Sequence, residues 1–359
     1  MRLFDVSIKG VVVVPNATRW TGPWLGATRA TSLQRVANRP IVCHVLDALL
    51  QAGVREAAVL APPDVADEIA ACVDSERPAG IHVRHLLQEP GRDGETLRAV
   101  AEFVGDAPCI LHRADGLLGQ PLSPFVEILG EEPSDALLLV WENGHETKRL
   151  RLVQQRLLTA LEDGVTPTPA GIAGVCLFGP SALGRLAAHP QRSADTLDFT
   201  ALAQQLAREN GRVHMRAVRK WRHFAGDGLD LLDMNRTMLD ALDSEATTSV
   251  GNGNRFEGPI EIHPTASVTS SVIIGPVIVG ADALIADSYI GPHTSIAERV
   301  RIEGAELERS IVLADASVLH VGGRLVASIV GREARVFRDF SVPRAMRLQV
   351  GDGDEVALC

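Results

Sequence analysis

Strand-like and helix-like patterns alternate along the first 245 residues of the chain. Residues 10–14 end in four consecutive valines, an apolar run typical of a strand buried in a parallel sheet. Residues 41–52 carry apolar side chains at helical spacing and are followed by Gly53, which predicts a helix and its end. The alternation predicts a mostly parallel sheet with helices on both faces. Further strands are expected at residues 56–60, 81–86, 108–112, 136–141 and 174–178, and further helices at residues 65–73, 96–104, 199–210 and 229–242.

The pattern changes after a polar segment, residues 244–258, which is rich in Gly, Asn, Ser and Thr and is typical of a linker. Aliphatic residues then recur every six positions without a break. They are Val272, Ile278, Leu284, Ile290, Ile296 and Ile302. This period predicts a parallel β-helix, in which each coil stacks its aliphatic residue on that of the coil below.

The composition of the 359 residues excludes several classes of protein. Apolar residues make up 46% and charged residues 22%, which is a globular rather than a disordered composition. A formal charge of −10 argues against nucleic acid as a partner. No apolar run approaches the ~20 residues of a membrane helix and no secretory signal is evident, so we expect a cytoplasmic protein without a membrane partner. The five cysteines form no C-x-x-C pair, which favours reduced structural thiols.

Several segments carry a recognisable set of motifs. Residues 28–40 read TRATSLQRVANRP and residues 230–236 read DLLDMNR. Gln88 and Gly94 flank a short loop after a predicted strand, and Asp115 follows another strand in the sequence LHRADGLLG. These motifs, in this order and followed by hexapeptide repeats, resemble the sugar-1-phosphate nucleotidyltransferases, and in particular the long-form glucose-1-phosphate thymidylyltransferases.

The resemblance implies both a fold and a reaction. The fold is a Rossmann-like α/β nucleotidyltransferase domain with a mostly parallel sheet, followed by a left-handed β-helix. We expect the α/β domain at residues 1–243, the linker at 244–258, the β-helix at 259–345 and a C-terminal tail at 346–359. In the reaction, an oxygen of a sugar-1-phosphate attacks the α-phosphate of an NTP and pyrophosphate leaves. Mg²⁺, cationic side chains and backbone N–H groups stabilise the phosphates.

The family's motifs assign a set of candidate site residues to this chain. They are Arg19 and Asp115 for catalysis; Thr18, Gln88 and Gly94 for nucleotide binding; Trp20, Trp24, Asp198 and Thr200 for substrate binding; and Asp115 and Asp227 for Mg²⁺. The two tryptophans have an alternative role, which is to fill the phosphate pocket.

The chain departs from the family at several phosphate-binding positions. Where the family has a G-G-x-G-T-R loop, residues 14–19 read VPNATR, and Pro15 has no backbone N–H. Thr31 takes the place of one phosphate-binding lysine, residues 162–164 carry no counterpart of another, and Phe224 lies near the place of the second metal aspartate. Only three of the 35 basic residues are lysines. The arginines that could replace the missing lysines are Arg29, Arg35, Arg92, Arg113 and Arg149.

Three hypotheses remain open from the sequence. The chain is a divergent nucleotidyltransferase acting on a sugar or cyclitol phosphate, or a catalytically silent ligand-binding or regulatory subunit of an active paralogue. The third is acyl transfer in the β-helix, with His320 as the base. His112 and His223 are acid–base candidates whose alternative role is structural. By analogy with other β-helix proteins we expect a homo-oligomer.

Overall fold

The structure is a computed structural model that describes residues 7–15, 30–88, 93–131, 134–141, 172–188, 197–242, 249–251 and 253–338. An α/β region comes first and a region of short stacked strands follows it. Within these ranges, no helix is long and apolar enough to cross a membrane.

The α/β region contains every strand and helix predicted for it, with ends that differ by less than one helical turn. Its strands are β1 (Lys9–Val13), β2 (Arg35–Val36), β3 (Arg39–Pro40), β4 (Glu56–Ala61), β5 (His82–Leu87), β6 (Cys109–Arg113), β7 (Gly116–Leu118), β8 (Ala136–Trp141), β9 (Ile172–Phe178), β10 (Val213–Val218) and β11 (Trp221–His223). Its helices are α1 (Ile41–Gln51), α2 (Ala66–Glu76), α3 (Asp93–Val104), α4 (Ser123–Glu131), α5 (Ala182–Ala188), α6 (Phe199–Arg208) and α7 (Gly228–Leu239), and a 3₁₀ turn lies at Thr31–Leu33.

The described strands of this region form a seven-stranded sheet in the order β10-β8-β9-β6-β1-β4-β5. All neighbouring pairs are parallel except those of β9, which is antiparallel to β6 and β8. From β1 the chain proceeds to β4 and β5 on one side, and it then returns to β6 on the other side of β1. The sheet therefore has a topological switch point between β1 and β6, where open α/β sheets bind ligands at the carboxyl ends of their strands.

The valines of β1 show why its run is continuously apolar. Val11 and Val13 belong to the hydrophobic core on one face of the sheet, and Val12 and Val14 belong to the core on the other face. Helices α1, α2, α4 and α7 contribute to one core, and α3, α5 and α6 contribute to the other. The prediction of a mostly parallel sheet covered on both faces is confirmed.

The second region is a stack of short strands in three sheets, the arrangement of a left-handed parallel β-helix. The strands are β12 (Ser249–Gly251), β13 (Asn254–Glu257), β14 (Ile260–Ile262), β15 (Ser267–Thr269), β16 (Val272–Ile274), β17 (Val277–Val279), β18 (Leu284–Ala286), β19 (Tyr289–Ile290), β20 (Thr294–Ile296), β21 (Arg301–Glu303), β22 (Glu306–Glu308), β23 (Ile311–Val312), β24 (Ser317–Leu319), β25 (Arg324–Val326), β26 (Ile329–Val330) and β27 (Arg335–Phe337). Each described strand from β13 onward pairs in parallel with the strand one coil away, for example β16 with β19. Strands β12 and β13 fall inside the segment expected as a linker, and the domain limits stay a prediction.

The hexapeptide pattern predicted the architecture correctly and the register of the first half wrongly. Ile290, Ile296 and Ile302 are buried in the interior of the β-helix, but Leu284 is 52% exposed. Val272 and Ile278 are only partly buried. At these three positions the next residue points inward, namely Ile273, Val279 and Ile285. The reason is the coil length: Ser288 donates its N–H to the hydroxyl of Ser271, 17 residues earlier, and this is one residue fewer than three strict hexapeptides require.

The β-helix packs against the α/β region through α7 and the β2–β3 hairpin. Asn235 of α7 is fully buried at this junction. Its Oδ1 accepts a hydrogen bond from the Ala37 N–H at 2.8 Å, and its Nδ2 donates to the His293 carbonyl at 3.1 Å. Asn38 in the hairpin donates to the carbonyl of Ile296 at 2.6 Å. Specific hydrogen bonds thus hold the two regions together.

Candidate functional site

The ends of β6 and β7 bring three polar side chains together at the switch point. Arg113 is the last residue of β6 and lies in register with Val13 of β1. The chain turns at Asp115 and enters β7, whose Gly116 pairs with His223 of the antiparallel strand β11. The side chains of Arg113, Asp115 and His223 meet here, and we call them the Arg113–Asp115–His223 cluster.

The carboxylate of Asp115 is bound by two basic side chains within this cluster. Arg113 donates from Nε to Oδ1 at 3.0 Å and from Nη2 to Oδ2 at 2.5 Å. The Nε2 atom of His223 lies 3.4 Å from Oδ2. Only 4% of the Asp115 side chain is exposed, compared with 39% for Arg113 and 42% for His223. The carboxylate of Asp115 is therefore buried, whereas the side chains of Arg113 and His223 that contact it are partly open to solvent.

This environment keeps Asp115 ionised. Burial by itself would raise its pKa, but the hydrogen bonds and charges of His223 and Arg113 lower the pKa to about 2. Burial would lower the pKa of Arg113, whereas its hydrogen bond to Asp115 and the charges of Asp115 and Asp198 raise it. At neutral pH the pair is a carboxylate and a guanidinium.

Two glycines make room for the cluster. A Cβ atom at Gly116 would lie 2.3 Å from the ring of Trp221. A Cβ atom at Gly174 in β9 would lie 2.9 Å from Cδ of Arg113 and 2.9 Å from Cζ2 of Trp221. Trp221 is buried and its ring centroid lies 5.8 Å from that of His112. The stem of Arg113 is thus packed against the backbone of β9 and beside an indole.

His112 is a structural histidine in this arrangement. It is 1% exposed, and its Nδ1 lies 2.7 Å from the carbonyl oxygen of Arg113. Since a carbonyl only accepts, Nδ1 carries the proton. Burial lowers the pKa of His112 to about 4, so the ring is neutral at physiological pH and supports the backbone of Arg113.

The described residues do not fit a divalent cation at Asp115. Mg²⁺ requires several oxygen ligands in octahedral geometry, whereas both oxygens of Asp115 already face basic groups. Phe224, which lies near the expected place of a second aspartate, is 2% exposed, and its backbone N–H donates to the carbonyl oxygen of Asp115 at 2.9 Å. Asp227, the other predicted metal ligand, caps α7 by accepting from the Leu229 N–H at 3.1 Å. No group of three His, Cys, Asp or Glu side chains gathers anywhere in the described part of the chain.

The candidates for nucleotide binding lie at the same edge of the sheet as the cluster. Gln88 follows β5, is 2% exposed, and its backbone N–H donates to Ala61 at the end of β4 at 2.9 Å. Gly94 lies in the first turn of α3. Gln88 therefore lies at the carboxyl ends of β4 and β5.

The candidates for substrate binding lie at the start of α6. Asp198 accepts a hydrogen bond from the Ala201 N–H at 3.3 Å, and Thr200 belongs to the first turn of the helix. The negative charge of Asp198 contributes to the raised pKa of Arg113. The assignment of a substrate to these residues stays a prediction.

Other predicted residues are placed elsewhere or lie outside the described ranges. Arg35 binds Glu76 of α2 and the carbonyl of Asn38 rather than joining the cluster. In the β-helix, His320 is 51% exposed at a corner where its φ is 50°, and its Nε2 lies 3.7 Å from Glu303. Thr18, Arg19, Trp20, Trp24, Arg29, Arg92 and Arg149 lie outside the described residues.

The pairing of Arg113 with Asp115 is the feature that the sequence reasoning missed. Arg113 was considered as a phosphate ligand and Asp115 as a metal ligand, each without the other. The sequence carried no clear signal for the pairing, because the turn at residues 114–115 brings the two side chains together after β6 has ended.

Comparisons with known proteins extend over the whole chain. No protein-family model matches it. It is 26% identical over 337 residues to a glucose-1-phosphate thymidylyltransferase of Streptomyces antibioticus, covering 92% of this chain and 94% of that one. A protein of the same name from Streptomyces griseus is 28% identical, covering 90% of this chain and 92% of that one. The low-salt glycan biosynthesis nucleotidyltransferase Agl11 of Haloferax volcanii is 24% identical over 92% of this chain and 95% of its own.

A solved structure shares the fold. It is a crystal structure from Bacillus anthracis described as a candidate glucose-1-phosphate thymidylyltransferase, with a TM-score of 0.50 and 15% identity. The match covers 64% of this chain and 94% of that one. By motifs, architecture and near full-length similarity, the chain resembles the sugar-1-phosphate nucleotidyltransferases.

Proposed function

We propose that the chain is a divergent sugar-1-phosphate nucleotidyltransferase. Its α/β domain would bind an NTP and a sugar- or cyclitol-1-phosphate and join them. The observation that carries this proposal is the position of Arg113, whose guanidinium lies at the carboxyl end of β6, beside the end of β1 and at the switch point of the sheet. The relatives named above support the same reaction class.

The chemistry is an in-line displacement at the α-phosphorus. An oxygen of the sugar phosphate forms a bond to that phosphorus, the bond to the β-phosphate bridging oxygen breaks, and pyrophosphate leaves with the electron pair. In this chain Arg113 would neutralise phosphate charge, and Gln88 and Gly94 would bind the base. Mg²⁺ is expected from the resemblance, but no step is assigned to it because the described residues do not fit it.

Pyrophosphate release is the direct test. The full chain would be incubated with each of dTTP, UTP, GTP, CTP and ATP together with a panel of sugar- and cyclitol-1-phosphates. We expect one pair to give pyrophosphate and the matching nucleotide-sugar by mass spectrometry. Arg113→Gln should lower kcat/KM by about 10²–10³-fold, the usual effect of losing one charge-stabilising contact. Absence of turnover with every pair would reject the proposal.

The matched control is Arg299→Gln. Arg299 forms the same two-pronged contact with Asp315, from Nε at 2.6 Å and Nη2 at 2.8 Å, but on the exposed surface of the β-helix. This variant should turn over at the rate of the unmodified chain. An equal loss of kcat/KM in both variants would mean that Arg113→Gln lowers activity by destabilising the fold, without a direct role for Arg113 in the reaction.

A catalytically silent role is the second candidate, and one observation favours it. Both oxygens of Asp115 are engaged by Arg113 and His223, and the buried Phe224 lies near the expected place of a second metal aspartate. On this alternative the chain binds a nucleotide or sugar phosphate and regulates an active paralogue. It predicts calorimetric binding without pyrophosphate release, and co-purification with that paralogue.

A further inference from the structure

The Arg113–Asp115–His223 cluster places a fixed cation where the motif of the resembling enzymes places an aspartate for a metal. We propose that the guanidinium of Arg113 takes over the role of the divalent cation, so that this chain binds the phosphate of its ligand without divalent metal. This inference rests on the proposed function for the class of ligand, a nucleotide or a sugar phosphate.

The first support is the orientation of the ion pair. Arg113 uses Nε and one Nη2 hydrogen towards Asp115, and a guanidinium carries five N–H donors. Three donors, including both on Nη1, are therefore directed away from Asp115. The exposed fractions of 39% for Arg113 and 4% for Asp115 mean that the cation faces the crevice and the anion faces the core. Such a pair presents positive charge and donors to an incoming phosphate.

The second support is that the guanidinium is held in place before any ligand arrives. Asp115 fixes its plane through two hydrogen bonds, and Gly174 and Trp221 pack against its stem. His112 supports the carbonyl of the same residue at 2.7 Å. A positioned donor loses little freedom on binding, which is the advantage that a bound metal ion otherwise supplies.

The third support is the set of charges around the cluster. His223 approaches Oδ2 of Asp115 from β11 through its Nε2 at 3.4 Å, and 42% of its side chain is exposed, so it helps to hold the carboxylate that positions Arg113. Asp198 is the acidic group that acts on Arg113 from the start of α6. The carboxylate of Asp198 could accept hydrogen bonds from hydroxyl groups of a ligand. The arrangement therefore suits a phosphate ester better than a free metal ion.

Calorimetric titration in the presence of EDTA tests the inference. The probes are glucose-1-phosphate, dTTP, UTP, GTP and inorganic pyrophosphate, each titrated into the full chain with EDTA and again with excess Mg²⁺. We expect at least one probe to bind with the same affinity under both conditions. Arg113→Gln should weaken that binding by about 10- to 100-fold, the usual effect of losing a charged hydrogen-bond donor. The control Arg299→Gln should bind as the unmodified chain does.

A second variant keeps the test informative if Arg113→Gln folds poorly. Arg113→Lys retains the positive charge but replaces the planar guanidinium with a single ammonium group. The ammonium cannot offer one edge to the Asp115 carboxylate and another edge to a phosphate. We expect it to fold, as judged by circular dichroism, and to bind the probe more weakly in EDTA. Unchanged binding in EDTA by a folded Arg113 variant would overturn the inference.

Paramagnetic resonance with Mn²⁺ provides a readout that is independent of the ligand. We expect no Mn²⁺ site that depends on Asp115 in the unmodified chain. A site that is present there and is lost in Asp115→Asn would overturn the inference. Turnover that occurs only with Mg²⁺, together with such a site, would support the proposed function and reject this inference. Binding in EDTA without turnover under any condition would support this inference and reject the proposed function.

Discussion

The guanidinium of Arg113 and the carboxylate of Asp115 lie two residues apart in the chain and form a two-pronged ion pair, with Nε 3.0 Å from Oδ1. The pair closes over a turn that leads from β6 into β7. Its carboxylate is almost wholly buried, whereas both side chains are open to water in the pairs Arg299–Asp315, Arg301–Glu303 and Arg324–Glu306. Because a buried charge without a partner is costly, the pair contributes to folding as well as to the site.

Loss of Arg113 should destabilise the fold. Arg113→Gln removes one of the two basic partners of the buried Asp115 carboxylate, and His223 remains beside it. Breaking a buried ion pair costs about 3–5 kcal/mol. We expect the free energy of unfolding, measured by urea denaturation at neutral pH, to fall by about 3 kcal/mol. Arg299→Gln should cost less than about 1 kcal/mol, because exposed pairs are worth little. Equal losses in the two variants would contradict the burial of the Asp115 pair.

Gly174→Ala, in β9, should displace Arg113 and so disturb the Arg113–Asp115–His223 cluster. The added methyl group would lie 2.9 Å from both Arg113 and Trp221, and overpacking of this kind costs about 1–3 kcal/mol. We expect lower stability and weaker phosphate binding in the same variant. Gly184→Ala is the control, because that glycine lies in α5 with nothing within 4 Å of the new methyl group. It should stabilise the protein by about 0.5–1 kcal/mol, so a gain at both positions would contradict the close packing at Gly174.

Two buried histidines should make the fold sensitive to mild acid. Burial lowers the pKa of both His44 and His112 to about 4, from 6.5. The unfolded chain therefore binds protons at these sites first, and stability is lost as pH falls from 6.5 towards 4. The expected loss is up to about 3 kcal/mol per histidine.

The pH dependence can be assigned with single variants. His44→Gln retains a donor for the Val36 carbonyl, which lies 2.8 Å from Nε2 of His44. It should flatten the fall in unfolding free energy between pH 6.5 and 4. The exposed His82, changed to Gln, should leave the slope unaltered. A slope that is insensitive to His44→Gln would show that this ring is not buried in its neutral form.

The register of the β-helix can be tested at two neighbouring residues. Ile285 is 1% exposed and lies inside the β-helix, whereas Leu284 is 52% exposed. Ile285→Ala should lower the free energy of unfolding by about 2–5 kcal/mol, and Leu284→Ala by less than about 1 kcal/mol. Thermal or urea unfolding measures both losses. A larger loss for Leu284→Ala than for Ile285→Ala would show that the strict hexapeptide register is correct.

Asn235→Ala should weaken the junction between the two regions. The change leaves the Ala37 N–H and the His293 carbonyl without this partner in a buried place, at about 1–3 kcal/mol for each group. We expect two separate unfolding transitions, or one at lower denaturant, by tryptophan fluorescence and circular dichroism. Arg236→Ala, at an exposed position of the same helix, should change the free energy of unfolding by less than about 0.5 kcal/mol. Similar losses in both variants would indicate a general defect of α7.

The spacing of apolar residues predicted the strands and helices because it reflects which side chains are buried. The valines of β1 are buried on both faces, so their run identified a central strand. The antiparallel direction of β9 leaves no such record, since a strand buried on both faces is equally apolar in either direction. The inward position of Ile285 was missed because coils of 17 residues shift a six-residue period by one position. The motif correctly predicted that Asp115 lies at the carboxyl end of a strand. Its hydrogen bonds to Arg113 depend on side-chain geometry that a motif does not encode.

Helix α7 has a mechanical consequence for the whole molecule. It begins four residues after Phe224 and five residues after His223, and the Nδ2 of its Asn235 donates to the His293 carbonyl in the β-helix. With 12 residues it is about 18 Å long and stiff. A displacement of the β-helix would therefore be transmitted by this rigid helix, rather than absorbed by a flexible linker, to the edge of the sheet that carries His223 and Asp115.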